Sequence, residues 1–259
     1  MAAAIDSINR RAFLAAVGGA ACALFVPPAD AGERLIERLI AQAKPYPAIS
    51  QRIDVISHAL LGHRYQADTL IGGPRKAEVF VTRDDRFDCV TFCETVLAAA
   101  KAHDLPSFES ELRAIRYRNG VVDWRERNHD FAAWCERNTI AGLCKPVSLG
   151  DSVEIRKRLD TPRALGHRDY LIAAIPSAAL LERQSMLERG DIVGFVSRRS
   201  SLDYFHTGFV TFDGKGTLVL RNASQSRGRV LDQPMQQFLR INRVRYVTIV
   251  RPQDGGKVS

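Results

Sequence analysis

Cys89 stands at the start of an amphipathic stretch, Asp88 to Ala102, in which Val90, Val96, Leu97 and Ala100 share one side at helical spacing. A thiol placed there meets the unpaired N–H groups and the positive end of a helix, which favour its anion and lower its pKa. The same N–H groups can receive the oxyanion of a tetrahedral intermediate. A cysteine nucleophile also needs a base, and the base needs a group that orients it. Of six histidines, His206 opens the apolar run Phe205 to Phe212. The next run, Thr217 to Arg221, leads into Asn222. A His at one strand start and an Asn at the end of its neighbour can face the same side, the Asn accepting from the imidazole. Each residue also has a plainer reading: a buried thiol, a hairpin histidine, a turn residue.

The elements that must position these residues are legible in the apolar spacing. Leu35, Ile36, Leu39 and Ile40 predict a helix over Glu33–Ala43, ended by Pro45 and Pro47. A second amphipathic helix is expected over Ile49–Leu61, a loop over Asp68–Pro74 and a short strand over Glu78–Thr82. Further helical segments are expected over Phe108–Arg116 and, as a turn carrying Trp134, over Asp130–Glu136. The second half is rich in β-branched residues. Asp191–Val196, Phe205–Phe212, Thr217–Arg221 and Val244–Val250 read as strands, with Asp213-Gly214-Lys215-Gly216 as a hairpin turn. Helices followed by an antiparallel sheet predict an α+β domain. The arginine-rich stretch from Gly120 to Gly190 reads as an insertion or a set of long loops, forming a solvated surface or a substrate wall.

The chain has 259 residues, 46% of them hydrophobic and 25% charged, and one large domain accommodates that length. A formal charge of +8 points to an acidic or amphiphilic partner. The Lys and Arg residues are scattered and no nucleic-acid motif accompanies them, which argues against nucleic acid. Residues 1–31 read as an export signal: Arg10-Arg11-Ala12-Phe13-Leu14, the apolar run Ala15–Val26, then Ala29-Asp30-Ala31. The paired arginines resemble a twin-arginine signal, and the run is too short for a stable membrane span. A periplasmic or secreted protein is expected, leaving residues 32–259 as one domain. Cys22 lacks the large aliphatic residue of a lipoprotein site three places earlier. After cleavage Cys89, Cys93, Cys135 and Cys144 remain. Cys135 and Cys144 read equally as a bridge or as two free thiols. No CxxC or HxxxH pair supports zinc, and neither a metal nor an organic cofactor is called for.

Several segments together resemble the NlpC-type peptidoglycan hydrolases, and most closely their N-acetylmuramoyl-L-alanine amidase-like branch, formerly a domain of unknown function. They are Leu61-Gly62-His63-Arg64-Tyr65, Phe87-Asp88-Cys89-Val90-Thr91-Phe92-Cys93-Glu94, Ile115-Arg116-Tyr117-Arg118 and Arg127-Asn128-His129-Asp130-Phe131 with Trp134. Gly190-Asp191-Ile192-Val193, His206-Thr207-Gly208 and Arg221-Asn222-Ala223-Ser224 complete the series in the family's order. The resemblance implies a reduced papain-like fold, with the nucleophile helix packed on an antiparallel sheet. It implies a Cys89 nucleophile, a His206 base and Asn222 as third residue, where family members often carry His. It also implies substrate or oxyanion contacts from Tyr65, Asp88, Arg127 and His129, the last two on a loop near the cleft. The implied substrate is peptidoglycan or a muropeptide, cut between muramic acid and L-alanine. A stem-peptide endopeptidase and a non-catalytic wall-binding protein share the fold. A thiol-redox pair of Cys89 and Cys93 would call for CxxC, and three residues separate them here.

Overall fold

The computed structural model describes residues 34–160 and 162–255, so the expected export signal and Cys22 lie outside the described residues. The chain starts with helices α1 (Leu35–Ala43) and α2 (Ile49–Ala59), followed by strands β1 (Arg64–Tyr65), β2 (Ile71–Gly73), β3 (Lys76–Val79) and β4 (Arg86–Phe87). Helices α3 (Cys89–Lys101), α4 (Leu105–Arg116) and α5 (Phe131–Ile140) come next, then strands β5 (Cys144–Pro146), β6 (Val153–Leu159) and β7 (Arg168–Pro176). After α6 (Ala178–Glu182) run β8 (Ile192–Val196), β9 (Tyr204–Phe212), β10 (Leu218–Ser224) and β11 (Arg229–Pro234). Helix α7 (Met235–Ile241) and β12 (Tyr246–Pro252) close the chain. The expected α+β class is the one observed.

One sheet carries the order β4-β1-β11-β10-β9-β8-β12-β7-β6, with β5 also paired to β12, while β2 and β3 form a separate hairpin. Among the described residues only β1 and β4 pair in parallel; the other neighbours are antiparallel. The central strands are buried on both faces, and this is why their sequence runs apolar rather than alternating. Ile192, Val196, Phe209 and Ala223 join a core with α1 to α5, and Val193, Phe195, Val210 and Leu220 join a second core with α6 and α7. Helix α3 lies at the centre, between α1, α2 and α4 on one side and β9 and β10 on the other. From Thr91 to Ala100 every one of its residues is buried.

Several boundaries differ from expectation. The Asp68–Pro74 loop contains β2, and the strand expected over Glu78–Thr82 starts two residues earlier and stops at Val79. The turn around Trp134 is a ten-residue helix, with Trp134 buried and stacked on Phe131 at 5.2 Å. The stretch from Gly120 to Gly190 holds α5, β5, α6 and the long β6–β7 hairpin. Strand β6 lies at the end of the sheet order, and its outward Glu154, Arg156 and Arg158 are charges typical of an edge. Lys157 points inward among apolar positions, which hides the two-residue alternation from a sequence reading. Cys135 and Cys144 are free thiols. Among the described residues no helix is long and apolar enough to cross a membrane.

Candidate active site

Helix α3 begins where it does because Asp88 caps it. The Asp88 carboxylate accepts from the N–H groups of Val90 (3.0 Å) and Thr91 (2.7 Å), while the Thr91 hydroxyl accepts from the Asp88 N–H at 3.0 Å. That reciprocal cap places Cys89 on the first turn, partly buried, with its own N–H outside the cap. Asp88, an expected substrate or oxyanion contact, is thus engaged in holding the helix end. An anion at that position would also repel an oxyanion. Burial pushes its pKa up against these hydrogen bonds.

Strand β9 packs on α3 and brings the backbone N–H of Thr207 to the Cys89 sulfur. The residue before it, His206, donates from Nε2 to Asn222 Oδ1 at 2.8 Å. The amide is oriented by its nitrogen, which faces the carbonyls of Leu220 and Leu231, each at 3.4 Å. A carbonyl oxygen only accepts, so Nε2 carries the ring proton and Nδ1 is left as the basic nitrogen. Asn222 is fully buried, which keeps water from competing for this bond. Gly208 allows the approach: a Cβ there would lie 2.7 Å from the Arg221 carbonyl oxygen and 2.9 Å from the Asn222 Cβ. Arg221 anchors the end of β10 through Asp232 (2.7 and 2.8 Å), Asp54 (3.0 Å) and Ser57 (3.0 Å).

The electrostatics differ from the sequence expectation for the thiol. Burial, and secondly the Asp88 charge, push Cys89 up to about 12; the N–H groups of Thr207, Cys89 and Val90 pull the other way and do not win. Burial holds the His206 pKa below the ordinary 6.5, opposed by the Asn222 hydrogen bond. Both shifts favour the neutral forms, a thiol at Cys89 and an imidazole at His206.

Tyr65 lies on the strand that pairs with β4, opposite Phe87, two residues before the nucleophile. Burial and the nearby Cys89 and Asp88 charges hold its phenol at about 12, so it remains a donor. Arg127 and His129 are used differently. Arg127 donates to Glu78 Oε1 at 3.1 Å, and the same oxygen accepts from the Tyr117 hydroxyl at 2.9 Å. His129 Nε2 donates to the Trp124 carbonyl at 2.6 Å with the two rings 4.6 Å apart, and burial lowers its pKa. Both hold the loop they stand on. Cys93, one turn after Cys89, is fully buried beside Thr207. Asp191 of the Gly-Asp motif is equally architectural, accepting from Arg251 (2.7 and 2.9 Å) and from the Glu188 N–H (2.8 Å).

The sequence reading gave no role to Thr207, Phe195 or Phe238. The last two flank the His206 ring, with centroids 6.2 and 5.5 Å away. No local pattern distinguishes them from other core aromatics. Among the described residues no group of three or more His, Cys, Asp or Glu is arranged to hold a metal ion.

Solved structures share this fold at low sequence identity. A Legionella pneumophila protein assigned to the DUF1460 family superposes with a TM-score of 0.74 at 22% identity, covering 84% of this chain and 93% of that one. An N-acetylmuramoyl-L-alanine amidase from Bacteroides uniformis gives 0.69 at 21% identity, covering 79% and 99%. A Bacteroides fragilis protein proposed to be a xylanase gives 0.64 at 22% identity, covering 75% and 98%. No curated protein matches the sequence. The family model described as N-acetylmuramoyl-L-alanine amidase-like (AmiA-like) matches residues 55–248, a span that includes Tyr65, Cys89, His206 and Asn222, and the chain belongs to that amidase-like family.

Proposed function

We propose that the protein is an exported, cysteine-dependent N-acetylmuramoyl-L-alanine amidase with a reduced papain-like arrangement of the NlpC type. The observation that supports this reading is the His206–Asn222 bond of 2.8 Å on β9 and β10, the strands that pack on the capped helix bearing Cys89. Family membership supports the substrate class, and the arginine-containing N-terminal segment supports a periplasmic or secreted location.

In the first step the Cys89 sulfur bonds to the amide carbonyl carbon of the muramic acid lactyl group, and His206 Nδ1 takes the thiol proton. The oxyanion is received by the Cys89 N–H and the Tyr65 hydroxyl. The carbon–nitrogen bond then breaks, the leaving L-alanine amine takes the proton from His206, and a lactyl thioester remains on Cys89. Water, deprotonated by His206, attacks the thioester and releases the lactyl carboxylate and the thiol. Asn222 holds the ring in the tautomer both steps need and stabilises the imidazolium between them.

Mass analysis of a digested disaccharide–tripeptide tests the reading. Free disaccharide and an intact stem peptide are expected. A sugar still carrying Ala-Glu would move the cut into the stem. Binding without fragments, identical in Cys89→Ala, would make the protein a non-catalytic wall binder.

A further inference from the structure

Strand β9 carries one residue too many for its partner. Phe195 of β8 opposes His206 and Val196 opposes Tyr204, so Phe205 is the extra residue of a β-bulge. In a regular strand Phe205 would face away from His206. The bulge instead turns both rings to one wall. Phe195 lies 6.1 Å from the Phe205 ring and 6.2 Å from the His206 ring, and Phe238 lies 6.3 and 5.5 Å from the same two. Phe205 is nearly parallel to Phe238, at 10°, yet remains 39% exposed.

That exposure is built rather than frayed. The segment leading into β9 is pinned by Lys157, itself buried, whose ammonium donates to the carbonyls of Ser197 and Arg199. The Ser197 N–H donates to the Asp203 carbonyl at 2.8 Å, and the Asp203 carboxylate accepts from the Ala132 N–H at 2.8 Å. Leaving a phenyl ring in water forgoes part of the roughly 1.5–3 kcal/mol its burial would contribute. A fixed, exposed ring beside the base recovers that when a ligand covers it.

We propose that Phe205 is a substrate-binding platform for the pyranose ring on the acyl side of the scissile amide, an inference that rests on the amidase reading above. Phenylalanine has no hydrogen-bonding group. What it offers is a flat, electron-rich face, backed here by Phe238, suited to the weakly positive C–H face of a sugar ring. On the amine side of the bond stand an alanine methyl and polar peptide, neither of which presents an apolar face of that width.

The test compares two substrates, a muramoyl tripeptide and the D-lactoyl tripeptide that lacks the sugar, each with the full-length mature enzyme. The wild type is expected to prefer the sugar-bearing substrate in kcat/KM. Phe205→Leu is expected to reduce that preference about tenfold, chiefly through KM, and Phe205→Trp to retain it. Equal losses on both substrates, or a shift of the acid limb of the pH profile with no change in preference, would make Phe205 a packing residue around His206 and overturn the platform. A wild type that cleaves neither substrate would instead overturn the amidase reading, and the platform with it.

Discussion

Two polar constellations are built on the same helix, and they differ in what they leave over. One comprises Cys89, on the first turn of α3, and the hydrogen-bonded His206 and Asn222 on β9 and β10, the strands that pack on that helix; the shifts of Cys89 and His206 both favour neutral groups. Further along, Glu94 meets Arg116 at 2.7 Å with both side chains 2% exposed, and Arg116 also donates to the Val81 carbonyl at 2.6 Å. Beyond them Arg127 and Tyr117 share the Glu78 carboxylate. The second constellation is charged, and its donors reach Glu94, the Val81 carbonyl and Glu78 Oε1, so it ties α3, α4 and the loop before α5 together, while Glu78 Oε2 is buried without a partner. The first favours neutral groups, and the bond to Asn222 leaves the imidazole Nδ1 as its basic nitrogen. Residues of the two groups sit in the same sequence motifs. Ion pairing between buried charges, rather than motif membership, separates the second group from the first.

Breaking the first group should give the largest effect. Cys89→Ala is expected to lower kcat by about ten-thousand-fold or more while leaving the urea midpoint within experimental error. An activity loss of less than tenfold would remove the nucleophile assignment. Breaking the ion-paired group should act on stability instead. Arg116→Met strands a buried carboxylate and is expected to destabilise by about 3–5 kcal/mol in denaturant unfolding. The double variant Glu94→Leu/Arg116→Met is expected to recover most of that, because the cost lies in the unpaired charge. If the double variant is no better than the single, Glu94 and Arg116 do not form an isolated pair.

Smaller effects sharpen the contrast. Asn222→Ala removes one hydrogen bond to a ring that becomes charged, and kcat is expected to fall about 10- to 100-fold; Asn222→His, which restores a ring acceptor, is expected to lose less. The neutral pair also sets the pH profile. His206 must be unprotonated to accept from the thiol, and burial holds its pKa below 6.5. Activity is therefore fully present above that value and lost as pH falls through the lowered pKa. A thiolate–imidazolium pair would lose activity again when the imidazolium deprotonates. Here kcat/KM is expected to rise through one acid limb below 6.5 and then level, and iodoacetamide to alkylate Cys89 slowly at pH 7. A bell-shaped profile with fast alkylation at neutral pH would show an ion pair. The smallest change is expected from Arg127→Gln: a loss of about 1–3 kcal/mol of stability, since Glu78 loses a donor, with KM unchanged. A selective rise in KM would return Arg127 to substrate contact.

Much of the scaffold was legible because the apolar spacing repeats the periods of the elements themselves. Helices α1 to α4 and strands β8, β9, β10 and β12 appear within a few residues of where Leu35–Ile40, Val90–Ala100 and the Val- and Ile-rich runs place them. Strand β6 was missed because its inward Lys157 and its outward arginines read as solvated charge. Cys89, His206 and Asn222 were legible as residue types in a plausible order, Cys89 at a helix start marked by Asp88-Cys89-Val90-Thr91.

What the chain by itself determined was local: element types, the capped helix that presents Cys89, and the strand pair that carries His206 and Asn222. Those follow from propensity, capping and period, which act over a few residues. What only the tertiary structure decided was the protonation state and the division of labour. Burial outweighs the helix terminus at the Cys89 thiol because desolvation depends on everything packed around it, much of it distant in sequence. Arg127 and His129 are engaged for the same reason, their partners Glu78 and Trp124 being set by packing or loop closure. The bulge that swings Phe205 beside His206 exists only as a register between two strands, and no single strand encodes a register.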